Sequence, residues 1–176
     1  MRKYYYILSI LSALILVGAE DISAENNPQV WKWYSFSEAY PMAIEQGKHL
    51  IVNFYSLGCL WCNKLDNETF GNSEILKELS DDFVGARVNI GSNRTVEWKG
   101  NLITERELAR LFFVRGTPYL AFVDTTGTVI ATVPGYVPPD KFAPMLKYIG
   151  GYWYKEFTYQ EFLASEEALK KKRNEE

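Results

Sequence analysis

Metal-ligating side chains are scarce in this chain: its 176 residues include two cysteines and one histidine, His49. A structural zinc site takes four ligands, usually Cys or His, so the sequence argues against a metal centre. A Gly-rich phosphate loop is also missing, and with it any sign of a nucleotide or flavin cofactor. No internal repeat is visible. Charge of one sign is not in excess, and a net charge of −3 argues against nucleic acid as the main partner. Low hydrophobicity is absent too: 47% of residues are hydrophobic and 15% aromatic, enough for one domain with a real core.

One long apolar run exists, Tyr4 to Gly18, behind the basic start Met1-Arg2-Lys3. It is shorter than the roughly 20 residues of a spanning helix. Val17-Gly18-Ala19 and Ile22-Ser23-Ala24 both resemble small-residue cleavage sites. The expectation is a signal peptide over 1–24, cleaved near 19 or 24, and a periplasmic or secreted protein. An uncleaved N-terminal anchor is the alternative. No cysteine follows the run in a lipoprotein pattern.

The two cysteines are close together. They form Gly58-Cys59-Leu60-Trp61-Cys62, a C-x-x-C after the apolar run Leu50 to Tyr55. A strand that ends at a C-x-x-C opening a helix is the layout of a redox dithiol. Unpaired backbone N–H groups and the positive helix end favour a thiolate at the first cysteine. Its pKa is therefore expected below the free value of about 8.5, with Cys62 less exposed and higher. The rival reading is a structural disulfide, but so short a loop contributes only about 2 kcal/mol. In an exported chain, where disulfides persist, one C-x-x-C points to chemistry on other proteins' disulfides.

Along the chain, 25–34 reads as a lead-in, with Trp31 and Trp33 at a short strand. Ser35-Phe36-Ser37-Glu38 is a capping box for a helix to about Gln46, which Pro41 should kink or delay. His49 to Tyr55 is a strand, with His49 an ordinary surface or edge residue. A helix is expected from Cys59 to about Glu68, a second over Ser73 to Leu79, and a strand over Phe83 to Ile90. Gly91 to Asn101 reads as a polar loop. Thr104-Glu105-Arg106-Glu107 caps a helix to about Phe112. Tyr119 to Asp124 and Thr128 to Val133 form a hairpin, and Asp140 to Ile149 is a helix. Thr158-Tyr159-Gln160-Glu161 opens a last helix that frays over Lys170 to Glu176. The order is that of an α/β fold with a central mixed sheet flanked by helices.

These residues resemble the thioredoxin superfamily over roughly Ser35 to Ile149. Three anchors carry the likeness: the strand into the C-x-x-C; the strand Ala86 to Ile90; and Val114-Arg115-Gly116-Thr117-Pro118 leading into a hairpin, with Gly135 after it. Cys62-Asn63-Lys64-Leu65-Asp66-Asn67-Glu68-Thr69-Phe70 is similar to the C-terminal domain of thiol:disulfide interchange protein DsbD and to SoxW-like thioredoxins. The resemblance implies a thioredoxin fold over 35–149 and an aromatic-rich extension with an extra helix over 150–176. It implies Cys59 as attacking thiolate, Cys62 as resolving thiol, and Pro118 as a cis-proline facing them. Thr117 and Trp61 would then contact substrate, through backbone groups and an aromatic lip respectively.

Two positions depart from the family pattern. The buried Asp before the C-x-x-C is matched by Asn53, and the neighbouring strand lysine by Arg87. Asp66, one turn past Cys62, is the candidate for the missing proton acceptor; a solvated helix Asp is the alternative. Leu60-Trp61 brings no charge between the cysteines, which places the couple toward the reducing side. The expected activity is an exported thiol:disulfide oxidoreductase acting mainly as a reductase. Its partners would be protein disulfides and a membrane or periplasmic dithiol electron donor, with no cofactor. A disulfide oxidase or isomerase is the alternative, and a binding or scaffold protein with an incidental dithiol is the alternative of another class.

Overall fold

The computed structural model describes residues 31–175. The expected signal peptide, most of the lead-in and Glu176 lie outside them. β1 (Trp33–Ser35), β2 (His49–Tyr55), β3 (Phe83–Asn89), β6 (Tyr119–Val123) and β7 (Val129–Pro134) form one sheet, in the order β1-β3-β2-β6-β7. β3 runs parallel to β1 and β2, while β6 is antiparallel to both β2 and β7. The sheet is thus mixed, as expected.

Strand alternation divides the interior into two layers. Leu50, Val52 and Phe54 of β2 face α1 (Phe36–Gln46) and α4 (Glu105–Leu111), through Phe36, Ala39, Ala43, Leu108 and Ala109. Ile51 with Leu120 and Phe122 faces the opposite layer. That layer holds α3 (Ser73–Asp82) and α5 (Pro139–Gly150), through Ile75, Leu79, Phe142 and Leu146. The short α2 (Leu60–Lys64) and its continuation contribute Leu65 to it.

The capping box at Ser35 sets the start of α1: the Glu38 carboxylate accepts the Ser35 N–H at 3.0 Å. Pro41 does not delay that start, and the helix runs through it to Gly47, whose φ of 66° supplies the left-handed stop. Gly91 to Asn101 is not a plain loop. β4 (Thr95–Trp98) and β5 (Asn101–Thr104) form a hairpin about Lys99-Gly100, both at positive φ. Val96 and Trp98 alternate inward onto Phe36 and Phe112, so a period-two signal lay inside a segment whose polarity suggested a loop. The terminal helix α6 (Tyr159–Glu175) remains helical through the charged run expected to fray.

His49 also departs from expectation: it is 1% exposed. The extension after α5 turns back through a 3-10 turn, Trp153–Lys155, and covers it. Tyr154 Oη lies 3.2 Å from His49 Nε2, and the Tyr152 ring is 4.5 Å from the imidazole. Burial lowers the His49 pKa from 6.5, against the pull of Asp82 and Asp124 and with a small push from Lys155. The folded state therefore binds this proton less readily than the unfolded chain, and stability falls as pH drops below about 6.5. We expect the urea midpoint to decline between pH 7.5 and 5.5, and His49→Phe to flatten that decline. Asp66, whose pKa is raised by burial, contributes with the opposite sign. Glu38, Glu107 and Glu161, whose pKa values are lowered by cap hydrogen bonds, lose their contribution only below about 4.5. A decline of equal size in wild type and variant would remove His49 as the cause.

Candidate functional site

β2 delivers the chain to the sheet's end, and Ser56-Leu57-Gly58 turns it into α2. Gly58 has a φ of 74°, which a side chain would strain. Cys59 is the N-cap of α2, in extended backbone, and its Sγ accepts the Cys62 N–H at 3.1 Å. The two cysteines form a disulfide, with Cα atoms 5.2 Å apart. Cys59 is partly exposed, whereas Cys62 is 3% exposed. The access difference follows from helix geometry: the cap sits at the rim, and the residue one turn on faces the sheet.

A second segment reaches Cys59 from the other side. Thr117-Pro118 is a cis peptide at the start of β6, and Pro118 O accepts the Gly135 N–H at 2.9 Å. Thr117 donates its hydroxyl to Cys59 Sγ at 3.4 Å and lies 2.8 Å from Ser56 Oγ. With the Thr117 proton directed at sulfur, Ser56 is the donor in that second contact. Ser56-OH, Thr117-OH and Cys59 Sγ thus form a short relay of donors ending on one sulfur. Sequence reasoning missed Ser56, for which the only signal was its position at the end of β2.

The flanks are apolar and open. Leu57, Leu60 and Phe113 are exposed, and Trp61 is 57% exposed. A cavity of about 280 Å³ opens between Phe113, Arg115, Thr117, Pro118 and Gly135. The structure therefore gathers Cys59, Cys62, Trp61, Thr117 and Pro118 at one end of the sheet.

Beneath the dithiol lies a polar layer. Asn53 alternates with Val52 and Phe54, so it projects toward α2, and it is fully buried. Neither its Oδ1 nor its Nδ2 has a partner among the described residues. Arg87 is its register partner on β3, and it forms an ion pair and a hydrogen bond with Asp66. The guanidinium also lies 4.9 Å from the Tyr55 ring. Burial raises the Asp66 pKa, and Arg87 opposes the rise. Asp66 is thus half-buried and paired rather than a free solvated carboxylate. Helical spacing put it on the Cys62 side; Arg87 as its partner was not visible in sequence.

After Lys64 the helix widens into a π turn, Leu65–Thr69, in which Phe70 N–H reaches Leu65 O at 3.1 Å. Asp66 points inward from this turn to Arg87. Glu68 points outward and accepts from Tyr136 Oη. Thr69 is buried and donates to Val137 O at 2.6 Å. π turns are frequent at functional sites.

Comparison with known proteins agrees with this geometry. The profile of the thioredoxin-like domain matches residues 36–150. A thioredoxin from Thermus thermophilus is 26% identical, with a TM-score of 0.56, over 69% of this chain and 88% of that one. A thioredoxin-fold protein from Helicobacter pylori shares 24% identity at a TM-score of 0.60, over 84% of this chain and 94% of that one. Human spermatogenesis-associated protein 20 is 34% identical over 58 residues, 32% of this chain but only 7% of that protein. With more than half of its length matched by the domain profile and its sheet in this order around a C-x-x-C, the chain belongs to the thioredoxin-like family.

Proposed function

We propose that the chain is an exported thiol:disulfide oxidoreductase that works mainly as a reductase of polypeptide disulfides. The observation that carries this reading is the asymmetry of the two sulfurs. Cys59 is reachable and its Sγ accepts two hydrogen bonds, from Cys62 N–H and Thr117 Oγ1, whereas Cys62 is buried. Donors aimed at a sulfur favour its thiolate, which is the nucleophile.

The reaction runs in two exchanges. The Cys59 thiolate attacks one sulfur of a substrate disulfide; that S–S bond breaks, and the departing thiolate takes a proton. Cys62 then loses its proton and attacks Cys59 Sγ in the mixed disulfide, releasing the second substrate thiolate. Two electrons and two protons have passed to the substrate, and Cys59–Cys62 is oxidised. A dithiol protein in the membrane or periplasm restores the reduced pair.

Asp66 is our candidate acceptor for the Cys62 proton. Its raised pKa makes its carboxylate a stronger base than a solvated one. Thr117, Pro118 and Trp61 are the proposed substrate contacts. Export rests on the basic start and apolar run of the first 24 residues.

Turnover separates an enzyme from a scaffold with an incidental dithiol. The protein, kept reduced by dithiothreitol, should speed the reduction of insulin's interchain disulfides well beyond dithiothreitol alone. Rates equal to that control would leave the binding reading standing.

A further inference from the structure

The outer face of α2 carries a closed set of contacts around Trp61. The Tyr136 ring lies 5.9 Å from the Trp61 ring at 42°. Lys64 Nζ sits 5.2 Å from the Trp61 centroid and 4.7 Å from that of Tyr136. Tyr136 Oη donates to Glu68 Oε2 at 2.5 Å, and Lys64 Nζ is 3.9 Å from the same Glu68 oxygen. Trp61 and Glu68 thus each touch two others, and Lys64 and Tyr136 each touch three.

This arrangement is unusual for surface residues. The Lys64–Glu68 pair alone is exposed and long, and its Lys-before-Glu order is the weaker one on a helix. The phenol bond and the Lys64–Tyr136 cation–π contact change its character, because they join this helix to a different segment of the chain. Hydrogen bonding to Glu68 raises the Tyr136 pKa from 10.0, so the phenol keeps its proton and its bond across the neutral range.

Tyr136 directly follows Gly135, whose N–H holds Pro118 O. One short segment therefore braces the proline loop at Gly135 and the indole at Tyr136. An unbraced tryptophan with this exposure would sample several rotamers. The cavity beside Phe113 is lined by Thr117, whose hydroxyl meets Cys59 Sγ, and by Gly135, the residue before Tyr136. An extended polypeptide with its cystine at Cys59 would have the cavity on one side and the exposed indole on the other, where an apolar neighbour could rest. A small disulfide needs only the sulfur.

We infer that Tyr136, held by Glu68 and Lys64, is a positioning residue that fixes Trp61 as one wall of the substrate path, and so selects polypeptide disulfides with an apolar neighbour over small ones. The inference rests on the oxidoreductase reading.

The test compares oxidised insulin with bis(2-hydroxyethyl) disulfide, using wild type, Tyr136→Ala, Tyr136→Phe and Glu68→Gln. We expect Tyr136→Ala to lower the ratio of kcat/KM for insulin to that for the small disulfide by about 2–10-fold, the range one aromatic pair supplies. The change should lie in KM for insulin. Tyr136→Phe, which keeps the ring and loses the hydrogen bond, and Glu68→Gln, which removes the negative charge facing Tyr136 and Lys64, should fall between wild type and Tyr136→Ala. A readout free of turnover is iodide quenching of Trp61, taken by difference from a Trp61→Phe protein; it should rise in Tyr136→Ala. Equal losses on both disulfides, or an unchanged ratio with unchanged quenching, would overturn the inference. Wild type that reduces neither disulfide would instead overturn the oxidoreductase reading.

Discussion

Cys59→Ser should lower insulin-reducing turnover by about 10³-fold or more, to the level of the dithiothreitol control. A serine hydroxyl at neutral pH is a poor nucleophile, and the thiol that remains, Cys62, is buried away from an incoming disulfide. Cys62→Ser should fail differently. Cys59 keeps its cap position and its Thr117 hydroxyl, so attack proceeds and the first exchange completes. Resolution does not, and a mixed disulfide accumulates in a one-to-one adduct visible by mass spectrometry without reductant. With Cys62 replaced, the chain holds no other thiol to resolve the adduct. The same variant, applied to the extract of its own host, would identify the physiological substrates. An adduct that forms through Cys62 in the Cys59→Ser protein, and none in Cys62→Ser, would reverse the two roles.

The second large effect is the potential of the couple. Strong oxidants over-stabilise their thiolate with charged or polar residues between the cysteines. Leu60 and Trp61 supply neither. Two nearby features pull the other way. Asn53 removes an acidic neighbour that would raise the thiol pKa values, and Lys64 adds a cation on the same helix. The Lys64 charge, however, is held over two aromatic rings and near Glu68, which takes up part of its field. The residues between the cysteines lie closest to the sulfurs and should dominate. A potential nearer thioredoxin's, about −270 mV, than DsbA's, about −120 mV, is therefore expected. The gap of about 150 mV is about 7 kcal/mol, so equilibration with glutathione and thiol trapping resolves it. A value above about −170 mV would favour the oxidase or isomerase.

What the sequence disclosed about this molecule was local. The dithiol, the capping boxes at Ser35, Thr104 and Thr158, and the alternation of β2 each depend on neighbours within four residues, and a linear reading recovers them. Contacts between distant segments were recovered only where a family pattern supplied them, as for Thr117-Pro118. Arg87 and Asp66 are 21 positions apart, His49 and Tyr154 are 105, and Glu68 and Tyr136 are 68. Each pair is set by how layers stack on the sheet. His49 illustrates the cause: at the start of the central strand β2 it stands at one end of the sheet, and the aromatic extension after Gly151 covers it there. The β4–β5 hairpin was missed for another reason. Its alternation spans only Val96, Trp98 and Ile103, and polar residues between them outweighed it.

The π turn after α2 has a consequence for how this chain tolerates insertion and deletion. A π turn spends one residue more than an α turn to make the same circuit. Removing a single residue from 65–69 would restore ordinary winding, leave the residues beyond the turn facing as they do now, and crowd four residues into the arc that five share. Asp66 and Glu68 could not then both keep their present directions, one toward Arg87 and one toward Tyr136. The length of this stretch is thus fixed by two partners on opposite faces.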